Sequence, residues 1–303
     1  MTLRSLQRSD ASSLLDLWNR SVPFDPLTLD LLREKVWEDP HVDAELAMVA
    51  EEERQLVGFG MARLWPTPDV LRGTIKLLCV APERRREGIG GEILRQLEDG
   101  LAERGAEVIR IAEAAPNYLT PGIDVRYTPG WLFVQKHGYQ PIGEAVNMDV
   151  DLSQSFDTSD SERQLEGKGV TVRRAGESDL ETVRAFLGEH WPAWIPEIDS
   201  TFRQTPVSLH LAFRGDELLG FSAYDANNVG TGWFGPMGTA EAARGLGIGG
   251  VLCVRCLADM KAQGHMRSTI PWVAPVGFYA HYASAHVSRV FHRFEKPVGS
   301  VSR

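Results

Sequence analysis

Cysteine is scarce in this chain. Three residues of 303, Cys79, Cys253 and Cys256, cannot build a disulfide framework, and their rarity fits a reducing compartment. Long apolar runs are missing too: no stretch approaches the roughly 20 residues of a membrane helix, and Met1 to Leu6 shows no basic-then-apolar leader. The expectation is a cytoplasmic chain with no membrane partner. Positive charge is in deficit, with 32 Lys and Arg against 41 Asp and Glu and a formal net charge of −9. That balance opposes nucleic acid and anionic membranes and mildly favours a cationic ligand. What remains is ordinary globular material, 43% hydrophobic and 24% charged, which excludes disorder and suffices for more than one core.

The length makes two domains a fair expectation, and the chain repeats itself. Leu3-Arg4, then Ser9-Asp10 and the apolar helical run Leu14, Leu15, Leu17, Trp18, recurs as Val172-Arg173, Ser178-Asp179 and Leu180, Val183, Phe186, Leu187. Leu56-Val57-Gly58-Phe59 recurs as Leu218-Leu219-Gly220-Phe221, and Arg85-Arg86-Glu87-Gly88-Ile89-Gly90-Gly91 as Arg244-Gly245-Leu246-Gly247-Ile248-Gly249-Gly250. Residues 153–169 are polar and almost free of large apolar side chains, so they read as a linker between domains 1–152 and 170–303. The first copy, to residue 152, carries 17 Lys and Arg against 25 Asp and Glu, and the remainder 15 against 16. Attraction for a cation therefore sits mainly in the first half.

In copy one the patterning predicts strands at about 44–52, 55–64, 71–80 and 107–113. Ile93, Leu94, Leu97 and Leu101 share one face of a helix that follows Gly90 and ends near Gly105; Ile248, Leu252, Cys256 and Met260 repeat it before Gly264. Antiparallel strands first and a strand-helix-strand crossover later predict an α/β fold, each copy a mixed, mostly antiparallel sheet flanked by helices.

A glycine-rich turn between strand and helix presents free N–H groups at the positive end of the helix dipole and lets a phosphate approach closely. Both copies have one. No Gly-Lys-Ser/Thr follows the glycines, which excludes a nucleoside-triphosphate loop, and no opening strand at the N-terminus precedes them, which excludes a dinucleotide fold. Copy one reads Val80-x-Pro82-x-x-Arg85-x-x-Gly88-Ile89-Gly90. Copy two reads Arg244-x-x-Gly247-Ile248-Gly249, with Thr239 and Glu241 in place of the valine and proline. These segments resemble the acyl-CoA pyrophosphate loop of the GNAT N-acetyltransferase superfamily, and the repeat extends the resemblance to nearly the whole chain as two tandem domains. Two such domains with an active second copy are similar in architecture to mycothiol synthase.

The resemblance implies an acyltransferase that takes acetyl-CoA or another acyl-CoA as co-substrate, uses no metal, and transfers the acyl group to a primary amine of a small molecule or peptide. It implies acyl-CoA binding by Leu78, Cys79, Val80, Arg85, Arg86, Gly88, Gly90 and Gly91, and by Met237, Gly238, Thr239, Arg244, Gly245, Gly247, Gly249 and Gly250. It implies further that strand four of each copy splays from strand five and that a free N–H there holds the thioester carbonyl, a term of roughly 3 kcal/mol. Direct attack then needs positioning and a neutral amine, which at pH 7 costs an alkylamine roughly 4 to 5 kcal/mol. The resemblance also implies a tyrosine that protonates the departing thiolate, and Tyr279 of Phe278-Tyr279-Ala280-His281-Tyr282-Ala283 falls there, with Ala283 replacing the usual glycine. Val134 holds the matching place in copy one. Catalysis is expected in the second copy, with Tyr127 and Tyr139 as conceivable substitutes in the first.

Asp225, His281 and Glu113 are candidates for the base, and each reads equally well as a solvated surface group. Trp191 and Trp194 read either as pocket lining or as core. Cys253 and Cys256 lie inside a helix rather than at its N-terminus and read as core cysteines. Irregularly spaced His281, His286 and His292 make a poor metal site. Arg84 to Arg86 beside Glu83 and Glu87 are too few for a nucleic-acid patch. The rival class is a CoA-binding regulatory or scaffold protein in which neither copy turns over.

Overall fold

The computed structural model describes residues 1–67 and 69–299. In chain order the elements are β1 (Thr2–Ser5), α1 (Ala11–Ser21), α2 (Leu29–Val36), β2 (Ala47–Glu52), β3 (Gln55–Pro66), β4 (Leu71–Val80), α3 (Ile89–Glu103), β5 (Val108–Ile111), β6 (Ile123–Asp124), α4 (Thr128–Lys136) and β7 (Gln140–Asp151). Then follow α5 (Ser159–Glu166), β8 (Val170–Arg174), α6 (Leu180–His190), α7 (Ile195–Thr201), β9 (Leu209–Arg214), β10 (Glu217–Tyr224), β11 (Phe234–Thr239), α8 (Ile248–Ala262), β12 (Arg267–Ile270), α9 (Val276–Ala283) and β13 (His286–Pro297). The mixed, mostly antiparallel α/β class is the expected one. Residues 44–46, expected to open a strand, form a short 3-10 turn because the Asp43 carboxylate accepts the Glu45 N–H.

Two compact units divide the chain: Met1–Ala145 with the segment from Val290, and Val146–Arg289. In the first, β1-β2-β3-β4-β5-β13 lie side by side, antiparallel except for β4 and β5. In the second, β8-β9-β10-β11 form an antiparallel sheet and β12 pairs with β7. The repeat assigns β7 to the first copy and β13 to the second, so the copies exchange their last strands. The expected boundaries at 152 and 170 follow the sequence repeat, whereas the compact units follow the exchange.

Segment 153–169, read as a linker too polar to order itself, contains helix α5. Long-range contacts hold the helix. Glu162 takes both arms of the Arg255 guanidinium (2.8 and 2.6 Å), and Leu165 is buried among Val170, Leu219 and Ile248.

Helix α3 buries the face that its spacing predicts, with Ile93, Leu94, Leu97 and Leu101 inaccessible to solvent. It lies so close to β3 that a Cβ built on Gly60 would stand 2.3 Å from Ile93 Cγ2. The helix stops at Gly105, whose φ of 84° reverses the chain while Ala106 N–H returns to Leu101 O. Each copy is also pinned at its start by the same ion pair. Arg4 grips Asp10 (2.8 and 2.9 Å) as Arg173 grips Asp179 (2.7 and 2.8 Å), and each carboxylate also accepts a backbone N–H three residues earlier. No helix among the described residues is long and apolar enough to cross a membrane.

Candidate active site

In the first unit β4 follows β3 to the pair Gly58–Val80, but it pairs with β5 only from Arg72 to Ile75. Ala112 N–H closes that ladder on Ile75 O (2.9 Å), and its φ of 68° turns the chain away. Ala81 N–H donates to Val57 O on the β3 side (2.9 Å), so by alternation the amides of Leu78 and Val80 point into the gap and that of Cys79 does not. The second unit repeats this. β11 joins β12 only through a bridge from Trp233 to Thr269, Ala240 N–H donates to Leu219 O (2.9 Å), and the amides of Met237 and Thr239 face the gap.

Each gap leads to a glycine turn. Gly88 (φ 88°) and Gly247 (φ 95°) cap the two 15-residue helices in the left-handed region, where a Cβ would be strained. Gly245 (φ 80°) shares that backbone with Arg86 (φ 70°). The first intrahelical bonds are Glu92 N–H to Gly88 O (3.0 Å) and Val251 N–H to Gly247 O (3.4 Å), so the amides of residues 89–91 and 248–250 have no helical acceptor. That is the arrangement an anion needs.

The side chains named from sequence divide in role. Arg86, Arg244 and Gly245 are exposed. Arg85 is exposed as well, and it donates to Val80 O (3.2 Å) and Ser21 O (2.9 Å). Cys79 is buried, as are Cys253 and Cys256, and burial raises all three thiols. Gly91 and Gly250 serve packing: built Cβ atoms would meet His137 at 3.2 Å and Tyr282 at 2.2 Å. Gly90 and Gly249 face Phe133 (3.5 Å) and Phe278 (3.3 Å) in the same way, and Gly238 lies under the Trp191 ring (2.6 Å).

These contacts match α4 to α9 position by position. Phe133 corresponds to Phe278 and His137 to Tyr282, so Val134 stands where Tyr279 does. Tyr279 is 8% exposed, packed edge-on against Phe234 of β11 (5.8 Å) and Phe278 (5.0 Å). Burial raises its phenol above the ordinary value. Tyr139 is committed elsewhere, donating to Glu98 (2.8 Å), and Tyr127 donates to Asp25 (2.9 Å).

The base candidates fare differently. Glu113 is not a solvated group: it is fully buried and clamped by Arg110 and Arg293, each at 2.6 Å. Asp225 is 7% exposed and accepts Gly230 N–H (3.0 Å). His281 is exposed beside Tyr282. Trp191 and Trp194 stack at 5.5 Å, half-buried against Phe186 and Phe221, so they are core on one side and surface on the other. Among the described residues no group of three or more His, Cys, Asp or Glu is placed to hold a metal ion.

Sequence reasoning missed a buried ionic cluster under α2, in which Lys76 and Arg63 surround Asp39. A signal existed: each cation interrupts an apolar strand run, Gly60-Met61-Ala62-Arg63-Leu64 and Thr74-Ile75-Lys76-Leu77-Leu78.

Residues 11–121 match the Acetyltransferase (GNAT) family. No curated protein matches the sequence. Among solved structures, the chain is similar to a GCN5-related glucosamine N-acetyltransferase region of a fungal multi-domain GH3 β-N-acetylglucosaminidase (TM-score 0.82, 18% identity), covering 97% of this chain but 38% of that one. A GCN5-related N-acetyltransferase from Sphaerobacter thermophilus gives 0.70 at 19% identity, covering 98% and 95%. A tandem GNAT protein from the clavulanic acid biosynthesis pathway gives 0.68 at 13% identity, covering 99% of each chain. The family match thus covers residues 11–121, and over its whole length the chain has the fold of a tandem GNAT protein.

Proposed function

We propose that the protein is an acyl-CoA-dependent N-acyltransferase that moves an acetyl group from acetyl-CoA to a primary amine, with the chemistry in the second copy. The observation that carries this reading is the pairing of a splayed strand with a glycine-capped helix, present twice, and of a buried tyrosine beside the splay, present once. The backbone amides at residues 89–91 and 248–250 suit a pyrophosphate, and those of Met237 and Thr239 suit a thioester oxygen that gains charge as the amine adds. Tyr279 then donates its proton to the leaving sulfur. We assign the first copy to binding or support, because Val134 has no proton to give. The acceptor is a small molecule or peptide amine, and the negative charge of the chain favours a cationic one.

A second reading, a CoA-binding protein that does not turn over, is favoured by the clamped state of Glu113 and by the backbone bond of Asp225. The two readings part on thiol release from acetyl-CoA across a panel of small amines. An acyltransferase releases CoA with at least one amine and only with it; a binding protein releases none.

A further inference from the structure

The strand registers superpose the two copies residue by residue. Gly58 opposite Val80 corresponds to Gly220 opposite Thr239, and Ala62 opposite Ile75 to Tyr224 opposite Phe234, with a bulge between them in both. Thr74 beside Arg110 corresponds to Trp233 beside Thr269. It follows that Arg63 and Asp225 hold one place in the fold, and that Lys76 in the bulge corresponds to Gly235. At the base of the gap the two copies carry opposite charge.

In the first unit this place is dense with cations. Lys35, Arg63 and Lys76 are at most 2% exposed. Lys76 Nζ donates to the Asp39 carboxylate and to Lys35 O (2.5 Å), and Arg63 Nε stands 3.4 Å from the same carboxylate. Lys35 Nζ donates to Asn117 Oδ1 (2.8 Å) and Glu34 Oε1 (2.7 Å). Arg63 Nη2 donates to the carbonyls of Ala114 (2.5 Å) and Ala115, just past β5, so the guanidinium ties the base of the gap to the segment that leaves β5. Among the described residues these basic side chains lie against the carboxylates of Asp39 and Glu34. Arg63 Nη1 and Thr74 Oγ1, on residues directly opposite in register, are shielded from solvent and have no partner among the described residues. Shielded donors left unpaired beside buried basic side chains mark a place for an anion.

We propose that Arg63, Thr74 and Lys76 form a carboxylate-binding site at the base of the first gap. On the reading given above, which this inference extends, a thioester carbonyl sits at the Leu78 and Val80 amides. Lys76 precedes Leu78 by two residues on the same strand, so a carboxylate at this site is one carried at the far end of a short acyl chain. The ligand chemistry is a carboxylate, carried on the acyl group of a dicarboxylic thioester or on a free acid. Burial lowers the Lys76 ammonium to about 7 against the pull of Asp39, with Lys35 and Arg63 adding to the shift. Glu34 and His41 are the other titratable groups nearby, and burial also pushes His41 down. An entering anion restores the charge on Lys76, so binding takes up a proton near pH 8.

The test is calorimetry of the full chain with butyryl-CoA, succinyl-CoA and free succinate at pH 8 in buffers of different ionisation enthalpy. One class of sites is expected to favour succinyl-CoA over butyryl-CoA at least tenfold, with proton uptake. Thr74→Val, which removes only an unpartnered hydroxyl, reduces that preference about tenfold, the worth of one hydrogen bond to a charged group. Lys76→Met with Asp39→Asn abolishes it. Butyryl-CoA and succinyl-CoA binding equally well would overturn the site while leaving acyl-CoA binding intact, and so would a preference that Thr74→Val leaves untouched. Should neither thioester bind, the acyl-CoA reading fails, and the site stands only if succinate raises the melting temperature of the parent more than that of Thr74→Val.

Discussion

Replacing Tyr279 by phenylalanine separates chemistry from packing at the position on which the assignment of the active copy turns. The ring is buried against Phe234 and Phe278, and its hydroxyl has no protein partner among the described residues. Removing the oxygen therefore takes away no internal hydrogen bond, and stability is expected to change by less than about 1 kcal/mol. The loss falls on the leaving group. Without a proton donor the CoA thiolate departs unaided, and general-acid catalysis of this kind contributes about 10² to 10⁴, or roughly 3 to 5 kcal/mol of barrier. Because burial raises the phenol, Tyr279 keeps its proton throughout the neutral and mildly alkaline range, and the rate is not expected to fall there through its ionisation. The assay is steady-state thiol release with the best acceptor amine, alongside calorimetric binding of acetyl-CoA and thermal unfolding. The expected outcome is a lowered kcat, unchanged acetyl-CoA affinity and an unchanged melting temperature. Parental kcat in a folded Tyr279→Phe protein refutes the donor role, and a fall in kcat that tracks a fall in stability makes the tyrosine structural.

Three further outcomes follow from the packing and charge. Glu113→Gln leaves Arg110 and Arg293 without their shared carboxylate and is expected to cost about 2–3 kcal/mol in urea unfolding, below the cost of a fully buried pair because both arginines are partly exposed; an unchanged midpoint contradicts the clamp. Gly238→Ala drives a Cβ into the Trp191 ring and is expected to cost about 1–3 kcal/mol and to shift tryptophan fluorescence; an unchanged spectrum and midpoint refute the contact. Arg4 holds Asp10, and Arg173 holds Asp179, below the usual carboxylate range. Their stabilisation is complete above the unfolded value near 4 and is lost as pH falls through the lower folded value. Urea midpoints should drop on the acid side of about pH 4, and Asp10→Asn with Asp179→Asn should flatten that limb; an equally steep acid limb in the double variant removes these pairs as its cause.

The repeat was legible because it is written in local signals: a glycine that must take positive φ, a helix face at 3.6-residue spacing, an Arg and an Asp six residues apart. Val134 against Tyr279 was legible for the same reason, since the flanking Phe133 and Phe278 keep their places against Gly90 and Gly249. The exchange of β7 and β13 was not, because the alternation of a last strand says which face is buried and nothing about which sheet it joins. Helix α5 escaped notice because its order rests on Arg255, distant in sequence. Glu113 looked like a solvated carboxylate until Arg293, from the far end of the chain, closed on it. The resemblance names Arg85 as an acyl-CoA ligand, and spacing says nothing of the bonds that two of its donors make to Val80 and Ser21.

The central claim is that acyl transfer takes place in the second copy, and the most direct measurement is amine-dependent thiol release from acetyl-CoA by the full chain carrying Gly90→Trp or Gly249→Trp. Each indole enters beside the pyrophosphate turn of one copy, against Phe133 or Phe278, and circular dichroism establishes that each variant is folded. The account predicts that Gly249→Trp is silent while Gly90→Trp keeps at least half the parental rate. A silent Gly90→Trp beside an active Gly249→Trp would contradict it and move the chemistry to the copy that lacks the tyrosine.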